Sequence, residues 1–434
     1  MLSKIANIFR VPDLKKKVLF TAFILVLYRL GSFIPVPGVD PKVLGQIFSS
    51  NSEGILGLVD LFAGGNMSRA SVFALGIMPY ITTSIVIQLL GSVVPYFEKL
   101  KKEGAEGQKK ITQLTRYGTV LVAGLNSIGI CVMLLSQPGI VTINSAFFFV
   151  STVITLITGV MIIMWLGEQI TEKGIGNGIS LIIFAGIIAR LPSEFFGLFR
   201  RVAADPSIGN IFMLIFIFAA IVAVTASVIL VTEAMRKIPV QYAKRVVGRK
   251  VYGGQSTYIP LRVNTAGVIP IIFAQSVLMF PITIIRFFNT ESSFVSNWFS
   301  PGTALYTILS MLLIIFFAYF YTAMVMDPVE MADNMKKYGG FIPGVKQGKR
   351  TAEYINRVLV RITLPGAIFY AIIAVMPDIL FRILGVQLSV LGGTSIIIVV
   401  GVALDTLQQI ESHLVARHYD GFMKRGKLRG RAGR

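Results

Sequence analysis

Residues 208–231 read IGNIFMLIFIFAAIVAVTASVILV, a stretch without one charged side chain. A bilayer's hydrocarbon core is ~30 Å thick and a helix rises ~1.5 Å per residue, so about 20 apolar residues in a row cross it. Working outward from this stretch, further apolar windows appear at 18–35, 70–94, 117–136, 146–166, 179–198, 266–286, 303–326, 358–377 and 388–405. Together they predict ten transmembrane helices. The fifth is the weakest, because its clean run from Ile179 to Ala189 is followed by Arg190 and Pro192. Composition agrees. Of 434 residues, 54% are hydrophobic and only 14% charged, against roughly 25% charged in a soluble domain. Such a balance implies lipid-facing surface and not merely a large core.

The net charge of +20 is understood through the loops that carry it. With a cytoplasmic N-terminus, 33 of the 41 Lys and Arg residues fall on the cytoplasmic side. Seven fall opposite (Lys42, Arg69, Arg190, Arg200, Arg201, Arg286 and Arg382), and Arg29 lies within span one. Basic residues are retained on the cytoplasmic side of membranes, so the split supports ten spans with both termini cytoplasmic. The expected fold is an all-α polytopic membrane protein with two five-helix halves, 1–205 and 206–410, and a basic cytoplasmic tail, 411–434. An odd number of spans ends on the side opposite its start, so repeated halves must be inverted relative to each other. The single cysteine, Cys131, lies inside an apolar run, which excludes an intramolecular disulfide. Lys15, Lys16 and Lys17 precede the first apolar run, but no small-residue cleavage pattern follows it.

Three connecting segments stand out. Ile55 to Ala63 is an apolar, helical-looking stretch with Asp60 as its only charge, broken by Gly64 and Gly65. It is too short to span. It fits a re-entrant half-helix lining or blocking a pore, or an amphipathic segment lying on the outer surface; backbone inside a membrane must be enclosed by protein or a water-filled cavity. The 6/7 loop, about 233–265, holds Val246, Val251 and Tyr252, then Gly253-Gly254, then Tyr258-Ile259-Pro260-Leu261. Alternation around the double glycine predicts a hairpin. The 8/9 loop, about 327–357, holds Lys336-Lys337, Gly339-Gly340, Lys346, Lys349 and Arg350. Cations so concentrated suit an acidic or phosphate-rich partner, or equally retention charge against anionic lipid headgroups.

No catalytic constellation is visible. The two histidines, His413 and His418, both lie in the tail, so no intramembrane histidine base or ligand exists. Ser180 follows Gly176-Asn177-Gly178-Ile179 without the spacing of a nucleophile turn. Asp405 has no second carboxylate beside it for an aspartic-protease site. Gly348-Lys349-Arg350-Thr351 lacks the upstream glycine of a phosphate loop, where Pro343 stands. The chain therefore reads as a non-enzyme that needs no metal or cofactor and draws energy from a partner. Ion-coupled transport would place ionisable groups at the midplane; Arg29, Glu233 and Asp405 lie near span ends. A secondary transporter with inverted repeats remains the main alternative, and an intramembrane protease the second.

Several strings resemble the SecY family, the channel subunits of the bacterial Sec preprotein translocase. They are Arg29-Leu30-Gly31-Ser32-Phe33-Ile34-Pro35, the run from Ser68 to Ile81 (SRASVFALGIMPYI), the run from Gly167 to Gly178 (GEQITEKGIGNG), Ala266-Gly267-Val268-Ile269-Pro270 and Ala332-Asp333-Asn334. The resemblance runs collinearly from span one to the tail. It implies an hourglass channel in the cytoplasmic membrane of a bacterium. Unfolded secretory proteins pass through it, and membrane spans leave sideways through a lateral gate at spans two and seven. It further implies a pore ring of Ile77, Ile81, Ile179, Ile183, Ile272 and Ile398, and a plug including Leu58, Asp60, Phe62, Gly64 and Gly65. Motor or ribosome docking would fall to Lys244, Arg245, Arg249, Lys250, Lys346, Lys349 and Arg350. Implied partners are SecE, SecG, the SecA motor, the ribosome, signal sequences with their nascent chains, and anionic lipid headgroups. The ring makes physical sense. Ile77 and Ile81, like Ile179 and Ile183, share a helix face at i, i+4, and a narrow apolar ring resists ions by dewetting. One departure is Gly344-Val345-Lys346-Gln347-Gly348, where the family usually has arginine followed by proline; lysine is a point charge and not a bidentate fork.

Overall fold

The computed structural model describes residues 11–40, 44–45, 60, 63–136, 139–242, 245–247, 250–252, 256–287, 303–385 and 392–425. They form two compact units. One runs to Arg190 and resumes at Val402, and the other is Leu191–Gly401.

The first unit begins with α1, Pro12–Gly31. Pro12 occupies the first turn, where its missing N–H costs nothing, and Asp13 faces the positive end of the helix dipole. Turns cover 63–77, and α2 follows over Met78–Val93. The window at 70–94 therefore becomes helix only from Met78. Ala70 and Gly76 take left-handed φ of 49° and 57°, and Pro79 favours a helix start at its own position. Val94 is extended, as a residue before proline tends to be, and α3 (Pro95–Lys102) leaves α2 at 95°. Then come α4 (Ala105–Ser136), α5 (Ser145–Lys173) and α6 (Gly178–Ile188). Helices approach closely where side chains are absent. A Cβ at Gly178 would lie 1.9 Å from the Gly167 carbonyl oxygen, and one at Gly159 would lie 2.1 Å from that of Val72. Hydroxyls inside these apolar helices donate back one turn: Thr83 to Pro79, Thr119 to Thr115, Ser127 to Ala123, which satisfies them without water.

The second unit opens with α7, Leu191–Ala204. Its Leu198 packs with Ile217 of α8 (Ile208–Glu233) and with Phe381. Span five is thus two helices, interrupted at Ala189 and Arg190. Five short strands follow in the connections. β1 (Met235–Tyr242) pairs antiparallel with β4 (Ser256–Arg262), and β2 (Arg245–Val247) with β3 (Lys250–Tyr252). β2 and β3 form a hairpin whose innermost described pair is Val247 and Lys250; Gly253-Gly254, around which the sequence predicts a hairpin, lies outside the described residues. Next are α9 (Ile269–Phe287), α10 (Ala304–Val325), α11 (Pro328–Lys337), β5 (Gly340–Phe341), α12 (Lys349–Ile383) and α13 (Gly393–Arg425). Thr303 and Asp327 cap α10 and α11 by accepting backbone N–H bonds.

The chain is mostly helical, yet not wholly so. β5 adds to β1 at Gln241↔Phe341, making the order β4-β1-β5. Sheet and helices share a core of Ile238, Val240, Leu261, Met335, Ile342, Ile355 and Leu359. Every second residue in the middle of β1 (Ile238, Val240) points inward, as pleating requires. The 6/7 and 8/9 connections are therefore one folded body. Among the described residues, seven helices are long and apolar enough to cross a membrane, or eight if the bent pair α2 and α3 counts as one span.

Candidate functional site

Within the first unit, Asp60 organises a tight knot. Its Oδ1 accepts the N–H groups of Met67 at 2.9 Å and Ser68 at 3.0 Å, and its Oδ2 accepts Arg190 Nη1 at 3.0 Å. Gly64 and Gly65, both with left-handed φ, turn the chain between these bonds. The knot is fastened to α1 and α6. Arg29 Nη1 donates to the Gly64 carbonyl (3.2 Å), Asn66 Nδ2 donates to the Tyr28 hydroxyl (3.3 Å), and a Cβ at Gly64 would lie 2.8 Å from the Gly186 Cα. Just beyond it, Val36 N–H bonds the Ala70 carbonyl at 2.7 Å and Val72 N–H the Ile34 carbonyl at 2.9 Å. These bonds hold Ala70 in a conformation that a residue with a Cβ rarely adopts. The other two positions expected in this segment, Leu58 and Phe62, lie outside the described residues.

The six isoleucines occupy helix starts or buried helix faces. Ile77 is the N-cap of α2, and the Ile81 N–H bonds its carbonyl. Both are buried, as are Ile183, Ile272 and Ile398; Ile179 is half-buried. Asn177 fixes the start of α6: its Oδ1 accepts the N–H groups of Ile179 and Ser180, while Gly178 N–H donates to the Thr171 hydroxyl. Ser180 is thus a capped position in the first turn of a helix and not an elbow presenting a nucleophile. In the second unit, Gly401 of α13 lies so close to Val268 that a Cβ would meet its Cγ1 at 2.2 Å. Ile398 and Ile272 sit one turn away from this contact on their own helices.

Of the basic residues expected to dock a partner, Lys346, Lys349 and Arg350 are exposed. Lys346 stands between Gly344 and Gly348, which have φ of 81° and 86°, and Lys349 and Arg350 begin α12. Arg245 pairs in register with Tyr252, and Lys250 with Val247. Lys244 and Arg249 lie outside the described residues.

A model of the SecY family matches residues 71–407. The protein translocase subunit SecY of Rickettsia typhi is 46% identical over 427 residues, covering 96% of this chain and 97% of that one. Its counterpart in Thermotoga maritima is 44% identical over 433 residues, covering 98% of each. The chain belongs to the SecY family. Solved structures agree on the fold. One, described as the structure of a protein conducting channel, superposes with a TM-score of 0.67 at 17% identity, covering 93% of each chain. Another, Sec61 in the canine ribosome-channel complex from the endoplasmic reticulum, superposes at 0.62 with 16% identity and the same coverage.

SecY proteins are protein-translocase channel subunits and not enzymes, and this chain is a multi-pass membrane protein. The transporter and protease alternatives fall with that assignment. Sequence reasoning named Asp60 but not the residues that receive it. Arg190 was visible only as a charge interrupting an apolar run. Paired with the one acid of the preceding half-helix, it was the available signal, but nothing in the linear order says that positions so far apart meet.

Proposed function

We propose that this chain is the passive pore of a bacterial translocase, with ten spans in two inverted five-helix halves divided near residue 205. The seven long apolar helices are joined by α1, α2 and α9 to make the ten. Ile77, Ile81, Ile179, Ile183, Ile272 and Ile398 form an apolar constriction through which an unfolded chain passes. The segment containing Leu58, Asp60, Phe62, Gly64 and Gly65 is the plug, and spans two and seven part to release membrane segments. The observation that carries the reading is the burial of five of the ring isoleucines in a chain that elsewhere exposes many large apolar side chains. An apolar ring makes no hydrogen bonds, so it accommodates many peptide sequences while opposing ions.

Both termini face the cytoplasm, where SecE and SecG complete the complex and the SecA motor or the ribosome engages the shared body of the 6/7 and 8/9 loops. Two cations in the first turn of α12 support an anionic partner there. Positive charge is unfavourable at a helix N-terminus and is relieved by an acidic or phosphate-bearing surface. The test is crosslinking of a stalled secretory chain to single cysteines introduced at Ile81, Ile183 and Ile272 after replacement of Cys131. Val222, 55% exposed on α8, is the lipid-facing control. Capture at the three positions and not at Val222 is expected; capture at none, in a folded complex, removes the ring.

A further inference from the structure

We infer that the ion pair Asp60–Arg190 is the latch that sets how firmly the plug segment is held at rest, an inference that rests on the plug reading above. Three of the segment's other attachments to α1 and α6 are a close backbone approach and single hydrogen bonds. They are the close approach of Gly64 to Gly186, the Asn66–Tyr28 bond and the Arg29–Gly64 bond. Asp60 differs in kind. Its side chain is only 5% exposed and turns one oxygen to the N–H groups of Met67 and Ser68 and the other to Arg190, whose own side chain is 24% exposed. One carboxylate therefore both shapes the turn and docks it.

Arg190 is placed for this task by the break in span five. It is the last residue of the interruption between α6 and α7. Its Cδ lies where a Cβ on Gly65 would meet it at 3.4 Å. Two further arginines border the segment. Arg29 and Arg69 lie on the ring of Phe33, at 5.6 and 4.8 Å from its centroid. Arg29 also feels the like charges of Arg69 and Arg190, so the region around the latch carries a cluster of cations. A buried pair of this sort contributes little net stability against apolar replacements, yet removing one partner alone is costly because the other stays buried and uncompensated. That asymmetry suits a latch. The pair is indifferent to the fold as a whole and decisive for the docked position of one segment.

Asp60→Asn isolates the charge, since the amide oxygen can still accept from Met67 and Ser68. Arg190→Gln removes the other partner, and the double variant removes both. Each is built with Met67→Cys, at a position 5% exposed, and Cys131→Ser. The chain is purified with its associated subunits and reconstituted into vesicles. Two rates are read without substrate: labelling of the thiol introduced at position 67 by a membrane-impermeant maleimide, and efflux of a trapped small dye. Each single variant is expected to raise labelling at least about tenfold, the coupling of a close buried charge pair, and the double variant to stay at or below the larger single effect, since it leaves no uncompensated buried charge. Gly64→Val, which forces a side chain into Gly186 from a left-handed backbone, dislodges the segment by another route. Unchanged labelling in Asp60→Asn and Arg190→Gln, or effects that multiply in the double variant, overturns the latch. If Gly64→Val then still raises both rates, the plug reading stands without it. Raised labelling with flat efflux in all the variants keeps the latch and overturns the plug reading.

Discussion

Leu261→Ala tests whether the 6/7 and 8/9 connections fold as one body. Leu261 is fully buried in β4. Around it stand Ile238 and Val240 of β1, Met335 of α11, Ile342 just after β5, and Ile355 and Leu359 of α12. Its neighbours thus come from both connections. Truncating a fully buried leucine costs about 2–5 kcal/mol, the lost transfer energy plus the cavity left behind. Taking about 3 kcal/mol, and a tenfold change in equilibrium per 1.4 kcal/mol, the open form of the body should rise about a hundredfold. When opening is fast relative to cleavage, proteolysis tracks that open population. Limited proteolysis of the full membrane-embedded protein should therefore accelerate about a hundredfold in 235–262 and in 328–348 alike. Thr257→Ala, at an exposed strand position, should change cleavage by no more than about twofold, the effect of an ordinary surface substitution. If Leu261→Ala sensitises the 6/7 strands and leaves 328–348 as resistant as before, the two connections are independent and the shared core is refuted.

Gly178→Ala should lower the thermal midpoint of the purified protein sharply, because its new methyl group would lie 1.9 Å from a backbone oxygen that cannot swing away; Gly197→Ala, with nothing within 4 Å of the added atom, should leave it unchanged or raise it slightly, since alanine favours a helix interior. Equal behaviour of the two would mean that α5 and α6 are not packed as described. On the docking role proposed above, Lys346→Ala should weaken binding of the motor by less than about tenfold, as one exposed charge does. The difference should vanish near 1 M salt, where the screening length falls to about 3 Å. A salt-independent loss would point to a packing role for its aliphatic stem instead.

Much of the architecture was legible beforehand because the membrane imposes a one-dimensional rule. Residues 208–231 and 303–326 had to be long helices whatever their neighbours, since backbone in lipid must satisfy itself. The same holds for the weakness of span five: Arg190 and Pro192 mark the place where the helix breaks. The start of span two was less legible. Residues 70–77 are largely apolar, yet they are turns: Ala70 and Gly76 adopt left-handed backbone, and Ala70 and Val72 are bonded to Val36 and Ile34. Apolar windows report burial and not φ. The family strings were legible too, and with them the candidate ring and plug, but as residues of a pattern and not as a geometry.

Composition and the order of charges along the chain therefore determined the class of protein, a mostly helical multi-pass membrane protein, because hydrophobic length and loop charge are local quantities; the resemblance to the family rested on the strings alone. Tertiary structure alone decided which residues serve each other. It put Phe341 on the edge of a strand formed by Met235–Tyr242, and it brought Arg190 to Asp60 across 130 positions. Pairings of that kind depend on which surfaces can be buried together, and on where a carboxylate taken out of water finds its cation; neither is written in the neighbourhood of either residue.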